Sequence, residues 1–236
     1  MQRYFVEEKN ENKFFLSKED SYHIRVVMRR KLGENIEVVN DRKTYICKII
    51  SLDEIVSCEI IDEKKEEEEV VYVTIAQALV KEQKMDYVLQ KSAELGAFEI
   101  LPWKAERSVV KLNEKEEKKT ERWQKIVKEA AEQSKNFFIP NVSKPIDLKE
   151  LCKKDYDLKL LCTVNEKSKN LKKVLSNVKK NDKMIIVVGP EGGFTPYEEE
   201  KLIENGFIPT SLGSRVLRTE TAPLFILSCI KYELME

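Results

Sequence analysis

VGPEGGFTPYE (residues 188–198) and SLGSRVLRTETAP (residues 211–223) are the two stretches whose reading decides the fold. Each follows a short apolar run that reads as a buried strand, Met184 to Val188 and then Phe207 to Leu212, and each runs into a helical pattern. Strand, glycine turn and helix repeated in this order belong to sheets of parallel strands. A backbone without Cβ atoms at strand ends lets a bound small molecule come close. Two such turns so near each other in the chain point to a single pocket.

Working outward, the same rhythm extends back to residue 70. Val70 to Ala76 reads as a strand, followed by Met85, Val88, Leu89, Ser92 and Ala93 at helical spacing until Gly96 stops the helix. Phe98 to Leu101 is a second strand, and a longer helix from about Glu114 to Ser134 carries Trp123, Ile126, Val127, Ala130 and Ala131 on one face. Leu158 to Cys162 (strand), Leu171 to Val178 (helix) and Leu224 to Leu234 (helix) complete the series. Residues 70–236 are therefore expected to form an α/β domain with a mainly parallel sheet and helices on both faces. Residues 1–68 differ. Tyr4 to Val6, Asn35 to Val39, Thr44 to Ile50 and Ile55 to Ile61 read as short strands of a small barrel or sandwich, and the acidic run Glu63 to Glu69 as a solvated linker.

Composition bounds the function. The 236 residues suffice to bury a core without disulfides, and 42% hydrophobic with 36% charged residues describes a globular chain rather than a disordered one. Lys and Arg number 42 and Asp and Glu 42, so no net charge draws the chain to nucleic acid, and any such contact must be a local patch. The five cysteines, Cys47, Cys58, Cys152, Cys162 and Cys229, form no CxxC pair and accompany a single histidine, His23, which argues against a metal site and for reduced thiols. The acidic N-terminus does not read as a signal peptide, and no run reaches the roughly 20 apolar residues of a membrane span. A cytoplasmic location is expected.

The first turn launches its helix with Thr195 as N-cap, Pro196 at the first helical position and Glu198 completing a capping box, while Glu199 and Glu200 suit the positive end of the helix dipole. A helix start already satisfied by its own acids is a poor phosphate site, and neither a Walker lysine nor GxGxxG is present. Glu191 further repels a polyanion. A ligand with a positive or neutral centre suits the turn better, and S-adenosylmethionine, with its sulfonium and adenine, fits that description. The second turn brings Arg215, Arg218, Thr219, Glu220 and Thr221 together. Arg218 is the natural electrostatic group, able to stabilise charge developing on a substrate oxygen. A purely structural role stays open: Thr221 capping the last helix, with Arg218 paired to Glu220.

GPEGGFTPYE, LGSRVLRTETAP, KSAELGAFEILPWKAERSVV (91–110) and EAAEQS (129–134) together resemble the bacterial 16S ribosomal RNA (uracil-N3)-methyltransferase family of the SPOUT superfamily. The resemblance spans nearly the whole chain and includes HIRVVMRRKLGENIEVV (23–39), which is similar to that family's PUA-like RNA-binding barrel. It implies residues 1–68 as a PUA-like barrel, residues 70–236 as a SPOUT domain with a C-terminal trefoil knot, and a homodimer acting on 16S rRNA or the assembled small subunit. It also implies S-adenosylmethionine held by Leu161, Cys162 and Thr163, by Gly189, Pro190, Glu191, Gly192 and Gly193, by Leu212 and Gly213, and by Val216, Leu217, Arg218 and Thr219.

Methyl transfer from a sulfonium is an in-line displacement, so alignment and exclusion of water dominate. The uracil N3 lone pair becomes available as its proton leaves and charge spreads to the flanking carbonyl oxygens. Arg218 is the candidate stabiliser of that charge and Glu220 the candidate proton acceptor. For RNA, His23, Arg25, Arg29, Arg30 and Lys31 form a basic cluster, joined by Arg3, while Arg107, Gln133 and Lys135 are expected near the cleft. Where the family commonly carries an arginine after EAAEQS this chain has Lys135 and Asn136, and lysine lacks the bidentate fork. The alternative functions are a noncatalytic RNA-binding factor of the same fold and a nucleotide-dependent phosphotransferase.

Overall fold

The computed structural model describes residues 1–65, 70–110 and 116–234, and the chain divides into two compact units. One comprises Met1–Glu68 and Ala131–Phe138, the other Glu69–Ala130 and Ile139–Glu236.

The first unit is one sheet of six strands: β1 (Arg3–Phe5), β2 (Lys9–Asn10), β3 (Lys13–Phe15), β4 (Asn35–Asn40), β5 (Lys43–Leu52) and β6 (Val56–Lys64), in the order β1-β4-β5-β6-β3-β2. Only β1 and β4 run parallel; the other neighbours are antiparallel. Asp41 and Arg42, both at positive φ, close the β4–β5 hairpin with the backbone twist that two-residue hairpins favour. Register shifts in the β5–β6 ladder bend that pair and curl the sheet. Its inner face buries Tyr4, Phe14, Ile36, Val38, Cys47, Ile49, Val56 and Cys58. Strands β2 and β3 escape sequence reading because two or three residues show no alternation. Helix α1 (Lys18–Tyr22), capped by Ser17, and the π-helical turn His23–Val27 that follows it were likewise not predicted. The expected linker is shorter than its acidic run, since Glu63 and Lys64 belong to β6; residues 66–69 lie outside the described residues.

The second unit is a six-stranded, wholly parallel sheet of β7 (Tyr72–Ala78), β8 (Glu99–Trp103), β9 (Asn141–Val142), β10 (Leu158–Cys162), β11 (Lys183–Val188) and β12 (Ile208–Thr210), in the order β12-β10-β11-β7-β8-β9. Successive residues point to opposite faces, and both faces are buried. Ile75, Ile100, Leu160, Ile186 and Val188 pack with α2 (Glu82–Glu94), α3 (Glu116–Ser134), α5 (Leu171–Leu175) and α7 (Ala222–Leu234), through Met85, Leu89, Trp123, Val127, Leu175, Ile226 and Ile230. Ala76, Leu101, Leu161, Ile185 and Val187 pack on the opposite face with α4 (Leu148–Cys152) and α6 (Pro196–Glu204) through Leu151 and Leu202. The long apolar strand runs are therefore a consequence of two-sided burial. The start expected for α3, Glu114, lies outside the described residues.

Candidate active site

A cavity of about 740 Å³ opens at the carboxyl ends of the parallel strands of the second unit, where open α/β sheets place their ligands. Its walls are residues 162–165 after β10, 188–194 after β11 and 211–219 after β12, with Lys84 from α2, Arg107 from the segment after β8, Glu199 and Ala222. The sheet order sets β10, β11 and β12 close together, so turns distant in sequence converge.

Cys162, Thr163, Gly189, Pro190, Glu191, Gly192, Gly193, Leu212, Gly213, Val216, Leu217, Arg218 and Thr219 all line this cavity. Leu161 does not: its side chain is buried in the sheet face that packs on α4 and α6. The alternation of a strand places only one of two neighbours at a given surface. Burial pushes the Cys162 thiol up to about 12, so it is a neutral wall of the pocket and no nucleophile.

The first turn is clamped from below. Trp103 Nε1 donates to the Val188 carbonyl at 3.1 Å, and the Phe194 ring stacks on Trp103 with centroids 5.9 Å apart. Gly189 lies so close to Phe194 that an added Cβ would stand 2.9 Å from the ring. Arg107 donates to the carbonyls of Gly192 and Phe194, each at 3.1 Å, and a Cβ at Gly192 would meet the Arg107 stem at 3.0 Å. The capping box of α6 is present, with Thr195 and Glu198 reciprocally bonded. Buried Glu198 also accepts from the Glu106 backbone N–H at 2.8 Å, a second use invisible to a cap motif. Glu199 accepts from Thr163 Oγ1 and Asn165 Nδ2 and so ties the wall after β10 to α6.

The second turn is tied to the first by a directed pair of hydrogen bonds. Thr219 Oγ1 donates to the Gly189 carbonyl at 2.6 Å and accepts from Gln77 Nε2 at 3.0 Å. Lys84 adds an ionic bridge, 3.2 Å from both Glu191 on the first turn and Glu220 on the second. The Arg218–Glu220 ion pair that the structural alternative required is not formed: Glu220 pairs with Lys84, and the Arg218 guanidinium makes no ion pair with any described residue. Burial pushes the Glu220 carboxyl up, but its own backbone N–H, Lys84 and Arg218 more than offset this and hold it below the ordinary carboxylate range. Glu220 is thus an ionised side chain engaged by Lys84. Lys84 is held above its ordinary value chiefly by the Glu220 carboxylate, against a smaller opposing effect of burial.

Gln77 and Lys84 were missed by the sequence reading. The signal for Gln77 is present, a lone amide in the apolar run Val73–Val80. Lys84 carries no such signal, since it is one of many charged residues in the first turn of an amphipathic helix.

The candidate RNA contacts divide. Arg107 lines the cavity, with its Nη1 committed to the first turn. Arg3 is a correction: it is 0% exposed, pairs with Glu37 at 3.0 Å and donates to the Lys135 carbonyl, so its guanidinium is interior. His23 is half-buried against Tyr4, with Nδ1 3.1 Å from the phenol oxygen; Arg25 donates to the Ser21 carbonyl and Arg30 pairs with Glu34. Arg29 and Lys31 are exposed beside the exposed Tyr22, Val26, Val27 and Leu32. Gln133 and Lys135 are exposed and belong to the first unit; neither lines the cavity. Among the described residues no group of three or more His, Cys, Asp or Glu side chains is placed to hold a metal ion, and no helix is long and apolar enough to cross a membrane.

Residues 66–231 match the family model of the RNA methyltransferase domain. The chain belongs to this RNA methyltransferase family. The methyltransferase is 39% identical over 249 aligned positions to the ribosomal RNA small subunit methyltransferase E of Bacillus subtilis, covering 99% of this chain and 97% of that protein. Among solved structures, that of a ribosomal RNA small subunit methyltransferase E from Neisseria gonorrhoeae bound to S-adenosyl methionine superposes with a TM-score of 0.88 at 31% identity, over 99% of this chain and 98% of that one. The structure of a methyltransferase from Legionella pneumophila in complex with the same cofactor gives 0.88 at 32% identity, over 98% and 97%.

Proposed function

We propose that this methyltransferase transfers a methyl group from S-adenosylmethionine to ring nitrogen 3 of a uridine in the 16S rRNA of the small ribosomal subunit. The carrying observation is the cleft itself: two glycine turns hydrogen-bonded to each other through Thr219, with Arg218 on its wall, exposed and without an ion pair among the described residues. The residues fit the cofactor. The cavity is of the size that holds small organic cofactors, and Gly189 and Gly192 let Phe194 and Arg107 pack tightly on the first turn, which holds its backbone in place as a cavity wall. The wall mixes carbonyls and apolar Val188, Leu212 and Leu217 with charges of both signs, Glu191 and Glu199 against Lys84, Arg107, Arg215 and Arg218, so that a ligand with apolar, polar and charged parts finds a partner for each. When bound, the cofactor supplies an electrophilic methyl carbon on a positively charged sulfur.

The chain's own residues align and shield. The Thr219–Gly189 bond fixes the two turns against each other, and Phe194 on Trp103 fixes the first turn against the sheet. Arg218 faces the uracil carbonyl oxygens and stabilises the charge that builds there as the imide proton departs to solvent. Glu220, engaged by Lys84, does not take that proton.

Residues 1–68 form a PUA-like RNA-binding module in this reading, with Arg29 and Lys31 as phosphate contacts. Residues 70–236 form a SPOUT domain with a C-terminal trefoil knot in the same reading, and the working species is a cytoplasmic homodimer. The apolar helix α7, which leaves Phe225 and Tyr232 exposed, supports the dimer. The test is incubation of labelled methyl donor with unmodified small subunits and, separately, with free 16S rRNA, followed by nucleoside analysis. Label on N3 of one uridine is expected; label elsewhere, or none with either substrate, refutes the assignment.

A further inference from the structure

Lys84 stands between two carboxylates that belong to different turns of the cleft. Its ammonium is 3.2 Å from Glu191 and 3.2 Å from Glu220, and the three side chains keep exposures of 31%, 30% and 15%. A single cation reaching both turns from a third element, α2, does more than add an ion pair. It decides where the Glu220 carboxylate points.

Glu220 follows Arg218 by two positions in a turn that leaves Arg218 exposed and without an ion-pair partner among the described residues. Glu220 is within electrostatic reach of both Lys84 and Arg218, and a guanidinium is the better geometric partner of the two. The structure shows the less obvious choice, Glu220 on Lys84. We propose that Lys84 is a positioning residue for methyl transfer: by holding Glu220 it keeps that carboxylate off Arg218 and leaves the guanidinium open to the substrate. The inference rests on the reading of Arg218 given above. Lys84 touches no reacting atom in this scheme and acts only through Glu220.

The scheme differs from a structural tie in one respect. If Lys84 merely braces the cleft, its loss lowers donor affinity and stability along with turnover, and neutralising Glu220 brings back none of the tie. If it restrains Glu220, then neutralising Glu220 repairs the loss of Lys84.

The experiment compares the full-length protein with Lys84→Met, Lys84→Arg, the double variant Lys84→Met/Glu220→Gln, and Arg218→Ala. Turnover is measured on unmodified small subunits and on free 16S rRNA, and S-adenosylmethionine affinity by titration calorimetry. Lys84→Met is expected to lower kcat about tenfold with donor affinity within about threefold, a pattern that separates transition-state from ground-state effects. Lys84→Arg retains turnover. The double variant recovers to within about threefold of the unaltered protein, the range in which independent effects are told from coupled ones. Full turnover in Lys84→Met, a loss confined to donor affinity, or a double variant no better than the single one each overturns the proposal. Should Lys84→Met not fold, Lys84→Gln carries the same comparison. Full turnover in Arg218→Ala refutes the underlying reading of Arg218 instead, and is seen without any Lys84 variant.

Discussion

Gln77 and Thr219, 142 positions apart in the chain, share a buried hydrogen bond of 3.0 Å that fixes the direction of every proton around it. Thr219 has one hydroxyl proton and gives it to the Gly189 carbonyl, so its oxygen must accept from Gln77. The Gln77 amide nitrogen also donates to the Ala78 carbonyl, which leaves no ambiguity about which end of the amide faces which partner. Gln77→Glu, nearly identical in shape, sets an acceptor against two acceptors. The expected result is a loss of about 2–3 kcal/mol in stability, the scale for breaking a buried hydrogen-bonded site, together with at least tenfold weaker methyl-donor binding. Urea unfolding and calorimetry check both. Unchanged donor affinity in a folded Gln77→Glu protein means that the relay does not set the cleft.

How much of this was legible in the sequence follows from which interactions are local. The capping box of α6 is written in adjacent residues, Thr195 and Glu198, and reads directly. The parallel sheet was legible because two-sided burial leaves runs such as Met184–Val188 without polar interruption. The partners of Thr219, Glu220 and Arg107 lie in other elements and depend on the β12-β10-β11-β7 order, which local periodicity does not specify. Arg3 was misjudged for the same reason: a basic residue near a chain end reads as exposed until Glu37 on the neighbouring strand is placed beside it.

Arg218 separates chemistry from folding. Its side chain is exposed and holds no core, so Arg218→Ala is expected to leave the unfolding midpoint within the scatter of surface substitutions, about 0.5 kcal/mol. Methyl transfer should fall by about two to three orders of magnitude, the range for removing one donor to a developing oxyanion. Arg218→Lys recovers part of the rate, since the charge returns without the planar fork. Single-turnover assays with saturating donor measure the step directly. A rate loss explained wholly by donor dissociation would move Arg218 from the substrate to the cofactor.

Two glycines of the first turn are expected to fail for different reasons. A Cβ at Gly189 meets the Phe194 ring at 2.9 Å, and that ring is backed by Trp103, so Gly189→Ala forces the stack to move at a cost of about 1–3 kcal/mol. Phe194→Leu should relieve part of it. Gly193 has open space around its Cβ position but φ +69, so Gly193→Ala costs about 1 kcal/mol through backbone strain alone, and Gly193→Asn less. Thermal unfolding of the four variants distinguishes crowding from strain, because only the Gly189 defect responds to Phe194.

Arg3 and Lys31 test the division between interior and surface cations in the first unit. Arg3 is fully buried against Glu37, and its Nη1 also holds the Lys135 carbonyl. Arg3→Ala leaves the buried Glu37 carboxylate with only the more distant Lys64, at 4.0 Å, and is expected to cost about 3 kcal/mol, whereas replacing both Arg3 and Glu37 by apolar residues of similar volume costs far less. Lys31→Ala, at an exposed position, should leave stability unchanged and lower RNA affinity, reducing the slope of log K against log salt by about one. Denaturant curves and RNA titrations at several salt concentrations give both quantities for each variant. Arg3 therefore weakens RNA binding only in proportion to the protein it unfolds. A shallower salt slope in Arg3→Ala with an unshifted unfolding midpoint would place its guanidinium at the RNA after all and leave Glu37 to Lys64.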